Sequence, residues 1–111
     1  MKIYNISDMV RGWFVGDFVP SAYQTKNFEV GYLKHNKGEN WEDHYHKECK
    51  EINLLVKGKM SVNNTEILPG NIFVLEEYEF SSTIFLDNCE LVVIKTNSNP
   101  KDKFYDISNT D

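Results

Sequence analysis

At 111 residues and 13.0 kDa the chain holds one domain of ordinary size, and 41% apolar, 14% aromatic and 26% charged residues describe a folded globule, not a disordered chain. Twelve basic against seventeen acidic side chains leave a net charge of -5 with the lysines scattered, which excludes nucleic acid as a partner. No stretch nears the roughly 20 apolar residues that span a bilayer, and the opening Met1-Lys2-Ile3-Tyr4-Asn5 lacks a secretory apolar run, so the expected location is the cytoplasm, with no membrane partner.

There is no repeat and no sustained 3.6-residue pattern, while short β-branched and aromatic runs recur between turn residues, so the chain is expected to be all-β. Residues 1–27 contain Trp13, Phe14, Val15 and Phe18, too apolar for a free arm. They are expected to pack over one end of the domain or against a second subunit in a homodimer. A first core strand runs over Phe28 to Leu33 and ends at Asn36-Lys37-Gly38-Glu39-Asn40, and a second is expected to begin near Trp41. Ile52 to Val56 is an apolar run closed by Gly58. Met60 to Val62 and Thr65 to Leu68 flank Asn63-Asn64, a pair that tolerates the positive φ of a tight hairpin. Pro69-Gly70 turns into Ile72 to Leu75, Glu76 to Glu79 intervenes before Phe80 to Leu86, and Asp87-Asn88 leads into Glu90 to Thr96. Roughly eight short strands at spacings of about 8 to 12 residues predict an antiparallel sandwich or small β-barrel over residues 28–96. The polar tail 97–111, with Pro100, Phe104, Tyr105 and Ile107, reads as a strand or clip laid on that barrel.

The two cysteines, Cys49 and Cys89, form no Cys-x-x-Cys pair and read as free thiols that fill space. The chemistry concentrates between Gly38 and Gly58. On an extended strand His44 and His46 project to one face and Tyr45 to the other. Glu51 lies five residues beyond His46 and joins that face only if Lys47-Glu48-Cys49-Lys50 reverses the chain, leaving Glu51 at the head of the next strand. Two imidazoles and a carboxylate then make a ligand set suited to divalent Fe, Mn, Ni, Zn or Co, with positions open for water or substrate. Trp41, Asn53, Phe73, Tyr78 and Ser81 are candidate substrate-binding residues, by strand parity or nearness to the motif, and His35 is a further candidate on the preceding strand. Glu79 and Glu77 are the nearest candidates for a general base, and no catalytic residue is assigned. Glu39, Glu42, Asp43 and Glu48 make the approach acidic, a field that favours cations over anionic substrates.

The spacing Gly38-x5-His44-x-His46-x4-Glu51-x6-Gly58 resembles motif 1 of the cupin family at all five signature positions. Leu68-Pro69-Gly70-Asn71-Ile72-Phe73-Val74 is similar to that family's Pro-Gly-Asp turn and strand, and Glu90 to Ile94 takes the place of its last core strand. The resemblance covers residues 28–96. It implies a double-stranded β-helix, the jelly-roll-like barrel of the cupins, with His44, His46 and Glu51 matching three metal ligands. Motif 2 departs from the family pattern. Where the family has a Pro-x-Gly turn and a fourth-ligand histidine, this chain reads Glu76-Glu77-Tyr78-Glu79-Phe80-Ser81, with serine at the ligand position. A neutral hydroxyl is a poor ligand for these ions, so three protein ligands at most are expected unless Glu79, Glu77 or His35 swings in. By family analogy the expected function is action on a small organic molecule, such as a sugar or sugar derivative, at a divalent metal. The alternatives are a non-catalytic cupin that binds a carbohydrate or metabolite, and a dimerising interaction domain without metal.

Overall fold

The computed structural model describes residues 1–39, 41–99 and 101–105; Asn40, Pro100, Ile107 and the rest of the tail beyond Tyr105 lie outside the described residues. Among the described residues a single 3-10 turn at Ile6–Asp8 is followed by nine strands: β1 Trp13–Gly16, β2 Tyr23–Gln24, β3 Glu29–His35, β4 Glu51–Lys57, β5 Met60–Val62, β6 Thr65–Ile67, β7 Ile72–Leu75, β8 Thr83–Phe85 and β9 Cys89–Lys95. They build a six-stranded sheet of order β2-β1-β3-β9-β4-β7 and a three-stranded sheet β6-β5-β8. Every pairing is antiparallel except that of β1 with β2. The all-β double-sheet architecture expected from the turn spacing is the one the chain adopts. Among the described residues no helix is long and apolar enough to cross a membrane.

Local chemistry explains most of the connections. Asn63 and Asn64 take φ of 50° and 63°, the left-handed pair that a two-residue hairpin between β5 and β6 requires. Gly58, between β4 and β5, has φ +99°, and a Cβ there would lie 2.3 Å from the Asn88 carbonyl oxygen, so no other residue fits the crossing. The strand expected to begin near Trp41 is not a ladder. Among the described residues of that segment only two isolated bridges form, His44 to Ser81 and Tyr45 to Phe104. The physical reason is that the Asp102 carboxylate takes the N–H groups of Lys47 and Glu48, at 2.8 and 3.0 Å, which removes these donors from extended pairing.

The two sheets enclose Leu55, Met60, Val62, Ile67, Leu75, Phe85, Cys89, Leu91 and Val93. Along the inner face of the large sheet the side chains change character. Leu91 pairs with Leu55, Val93 with Asn53, and Lys95 with Glu51, while Glu29 on β3 flanks Lys95 from the other side. Glu29 is 5% exposed, accepts from Ser98 Oγ at 2.8 Å and has Lys95 Nζ at 3.8 Å. One end of the barrel is thus an apolar core, and the other holds a row of paired charges, Glu29 buried and Lys95 and Glu51 half-buried, an arrangement that folding alone would not select. The outer face of the same sheet is the reverse. Tyr32, Val92, Leu54 and Ile72 form one cross-strand row and Val30, Ile94, Ile52 and Val74 the next.

Candidate functional site

The reversal at 47–50 brings His44 and His46 against Glu51 at the polar end of the barrel. The three donor groups lie within 4.8 Å of one another. The imidazole centroids are 5.1 Å apart, with the rings near perpendicular. His46, 4% exposed, donates from Nδ1 to the Asp102 main-chain carbonyl, and its Nε2 is 3.0 Å from Glu51 Oε2. His44 Nδ1 lies 3.3 Å from the Glu42 carbonyl oxygen. A carbonyl can only accept, so each Nδ1 is the donor and each neutral ring keeps its Nε2 lone pair for another partner. At His46 that lone pair faces a carboxylate oxygen, and two acceptors at such a distance require a proton or a cation between them. Two Nε2 lone pairs, a carboxylate and Nδ1 groups held by main-chain carbonyls fit a divalent transition ion.

The electrostatics hold Glu51 ionised and His44 neutral near pH 7. Burial pushes the Glu51 carboxyl up, but the His46 hydrogen bond and the charges of Lys95, His46 and His44 outweigh it and hold the group below its ordinary 4.5. Burial pushes the His44 imidazole below its ordinary 6.5; Glu51 opposes this, while Lys103 and His46 add to it. A histidine that resists protonation when folded is protonated first in the unfolded chain, so stability from His44 is complete above 6.5 and is lost as pH falls through the window beneath it. Glu51 acts with the same sign below 4.5. The metal-free protein should therefore melt at lower temperature at about pH 5 than at about pH 7, and His44→Gln should flatten that slope. Equal slopes in thermal melts of the two proteins would contradict the assignment.

The other candidates fall in different places. Ser81 is 2% exposed and exchanges both main-chain hydrogen bonds with His44, at 2.7 and 3.1 Å, so it lies beside the triad. Asn53, 3% exposed, is the next inward residue on β4, and its Nδ2 donates to the Glu51 carbonyl at 3.3 Å. Phe73 pairs with Asn53 across β4 and β7 and packs on the apolar core. Trp41 stands at the rim, donating from Nε1 to Glu39 Oε2 at 2.5 Å, with Lys103 Nζ 4.8 Å above its ring. Tyr78 is 63% exposed and stacks on Tyr45, the residue facing away from the histidine pair. Glu79 folds back on its own turn, accepting from the Glu76 N–H at 3.0 Å. His35 is bound to Glu39 Oε2 at 2.6 Å and stacked on Phe85. Cys49, at the edge of the site, has its thiol pushed up to about 12 by burial and by the adjoining Asp102, which makes it inert as a nucleophile.

Three residues of the site went unread in the sequence. Asp102 anchors the loop that carries His46, and no local pattern marks it. Lys95 shares the inward parity of Leu91 and Val93, a signal that was present in the strand. Lys103 reaches the rim from the tail through packing alone. A second cluster, His46 with Cys49 and Asp102, also lies within ligand reach. Its carboxylate is already spent on Lys47 and Glu48 N–H groups, so it supports the loop. A shallow apolar groove of about 310 Å³, lined by Tyr4, Asn5, Ile6, Met9, Phe14 and Ala22, contains none of the triad.

No family model matches the sequence, and no curated protein matches it. Solved structures do. A Klebsiella pneumoniae protein described as having a double-stranded β-helix domain is similar over 88% of this chain and 86% of its own, at 15% identity and a TM-score of 0.65. KdgF from a Halomonas species is similar over 68% and 74%, at 16% identity and 0.61. A sugar phosphate isomerase of the cupin superfamily from Silicibacter pomeroyi is similar over 76% and 59%, at 18% identity and 0.58. The chain is a small cupin-fold protein, a double-stranded β-helix with a His/Glu cluster at one end of the barrel.

Proposed function

We propose that this protein holds a divalent transition metal, of the Fe, Mn, Ni or Zn class, on His44, His46 and Glu51, and acts there on a small organic molecule. The observation that carries the reading is the pair of imidazoles with each Nδ1 at a main-chain carbonyl, which leaves the His46 Nε2 lone pair facing Glu51 Oε2 at 3.0 Å. When bound, such an ion supplies Lewis-acid polarisation of a substrate oxygen. The chain's own residues do the rest: the Asp102 and Glu42 carbonyls fix the ring tautomers, Ser81 leaves the fourth position open, and Trp41 forms a wall at the rim. A sugar or sugar derivative is the preferred substrate class, by analogy with the isomerase of similar fold. Ser81, a non-ligand beside the triad, favours a second reading in which the barrel binds a carbohydrate or metabolite without turning it over.

In this reading the protein is a homodimer joined through the outer face of the six-stranded sheet, where Ile72 is 65% exposed and Val74 and Val56 are each 44% exposed. One sample of untagged, chelator-free protein tests both statements. Elemental mass spectrometry should find near-stoichiometric metal that is lost in His44→Ala, His46→Ala, and light scattering should give twice 13.0 kDa. Protein that stays empty after incubation with each ion removes the metal reading, and a monomer mass removes the dimer.

A further inference from the structure

We propose that the molecule bound at this site is an organic anion, its oxyanion met by Lys103 and a second oxygen placed at the His44, His46, Glu51 cluster. The inference rests on the metal reading above and concerns the charge that an ion would leave behind. Lys95 lies in register between Glu29 and Glu51 on the inner face of the large sheet. Its ammonium is 3.8 Å from Glu29 and 4.9 Å from the Trp13 ring centroid. Lys103 is half-buried, with Nζ held 4.8 Å from the Trp41 ring and 5.6 Å from that of Tyr105. Its charged neighbours are Lys95, Glu51, Arg11 and Glu42. Glu29 and Glu51 cancel Lys95 and Lys103, Glu42 cancels Arg11, and the two histidines are neutral as ligands. The buried Asp102 carboxylate beside His46 offsets one unit, so a divalent ion leaves one positive charge uncompensated in a partly buried site, and an anionic ligand is what balances it. Lys103 is the cation free to serve. Lys95 is paired with Glu29 at 3.8 Å, whereas Lys103 makes ring contacts and no ion pair closer than 4.0 Å among the described residues. Burial also draws its pKa below the ordinary 10.5, a strain that an incoming oxyanion relieves. The acidic residues of the 39–48 segment predicted the opposite preference, but Glu39 is taken up by His35 and Trp41, and the Glu48 carboxylate accepts from Asn99.

The test uses the metal-loaded full chain and Lys103→Met, with metal affinity measured first and ligand affinity second, both by calorimetry. The probes are lactate, its neutral isostere lactamide, and inorganic phosphate. Wild type should bind lactate at least about tenfold more tightly than lactamide, and Lys103→Met should lose most of that preference, keeping only the part that the ion's own charge supplies. The same variant should bind metal as tightly as wild type or more so, because a cation near the ion has gone. A misfolded variant would lose both affinities together, and Lys103→Gln, which removes the charge but keeps a long polar side chain and leaves the three ligands intact, then repeats the comparison. Phosphate bound in place of lactate, and dependent on Lys103, would keep the anion and assign its head group. Equal binding of lactate and lactamide, no binding of any probe to metal-loaded protein, or an unchanged Lys103→Met overturns the proposal. A wild type that takes up no metal is seen in the first titration and removes the parent reading.

Discussion

His46→Ala should weaken metal binding by more than about 100-fold, the upper end of what losing an outer partner of a ligand costs. His46 is the most enclosed donor of the cluster, 4% exposed, and is held on three sides. Its Nδ1 is fixed by the Asp102 carbonyl, its Nε2 meets Glu51 at 3.0 Å, and its own carbonyl accepts the Tyr78 N–H at 2.6 Å. Alanine keeps only the last of these. The Glu51 carboxylate then loses its nearest partner while still buried, so the metal-free protein should also lose about 2 to 3 kcal/mol. Calorimetric zinc titration and urea unfolding of the same variant separate the two effects. Metal affinity within a few-fold of wild type would show that the ion, if bound, sits elsewhere.

Asp102→Ala should cost as much stability although it removes no ligand. The side chain is 4% exposed, and its two oxygens accept the Lys47 and Glu48 N–H groups at 2.8 and 3.0 Å. Those hydrogen bonds tie the C-terminal segment to the turn between the histidines and Glu51. Losing two charge-assisted hydrogen bonds at a part-buried turn costs about 3 kcal/mol. The main-chain carbonyl that holds His46 moves with the segment, so metal affinity should fall a further 10-fold or so. Asp102→Asn keeps one acceptor and should recover part of both losses. Unfolding midpoints and zinc affinities of the two variants check the order wild type, Asn, Ala. An Ala variant as stable as wild type would mean that the loop is held by other contacts.

What could be read from the sequence was what short-range chemistry decides. Asn63-Asn64 and Gly58 demand left-handed backbone wherever the chain goes, so the β5–β6 hairpin and the β4–β5 crossing were legible. Glu51 was legible because parity forced a reversal after His46. The segment from Trp41 to Lys50 was not, because its lone bridges depend on Ser81 and Phe104, far away in the chain, and on a buried carboxylate in the tail. Lys103 and Asp102 escaped for the same reason. Neither lies in a periodic run, and both gain their role from the tail folding back beside β4 and β9. The burial of Glu29 and the inward, half-buried position of Lys95 contradict hydrophobic patterning, the kind of local inconsistency that marks a functional end of a barrel.

The most direct measurement is anomalous X-ray diffraction at the zinc edge from crystals of the untagged protein grown with zinc. A single peak about 2.0 to 2.2 Å from His44 Nε2, His46 Nε2 and a Glu51 oxygen is the predicted result. A peak at the His46, Cys49 and Asp102 cluster, or none at either position, would contradict it.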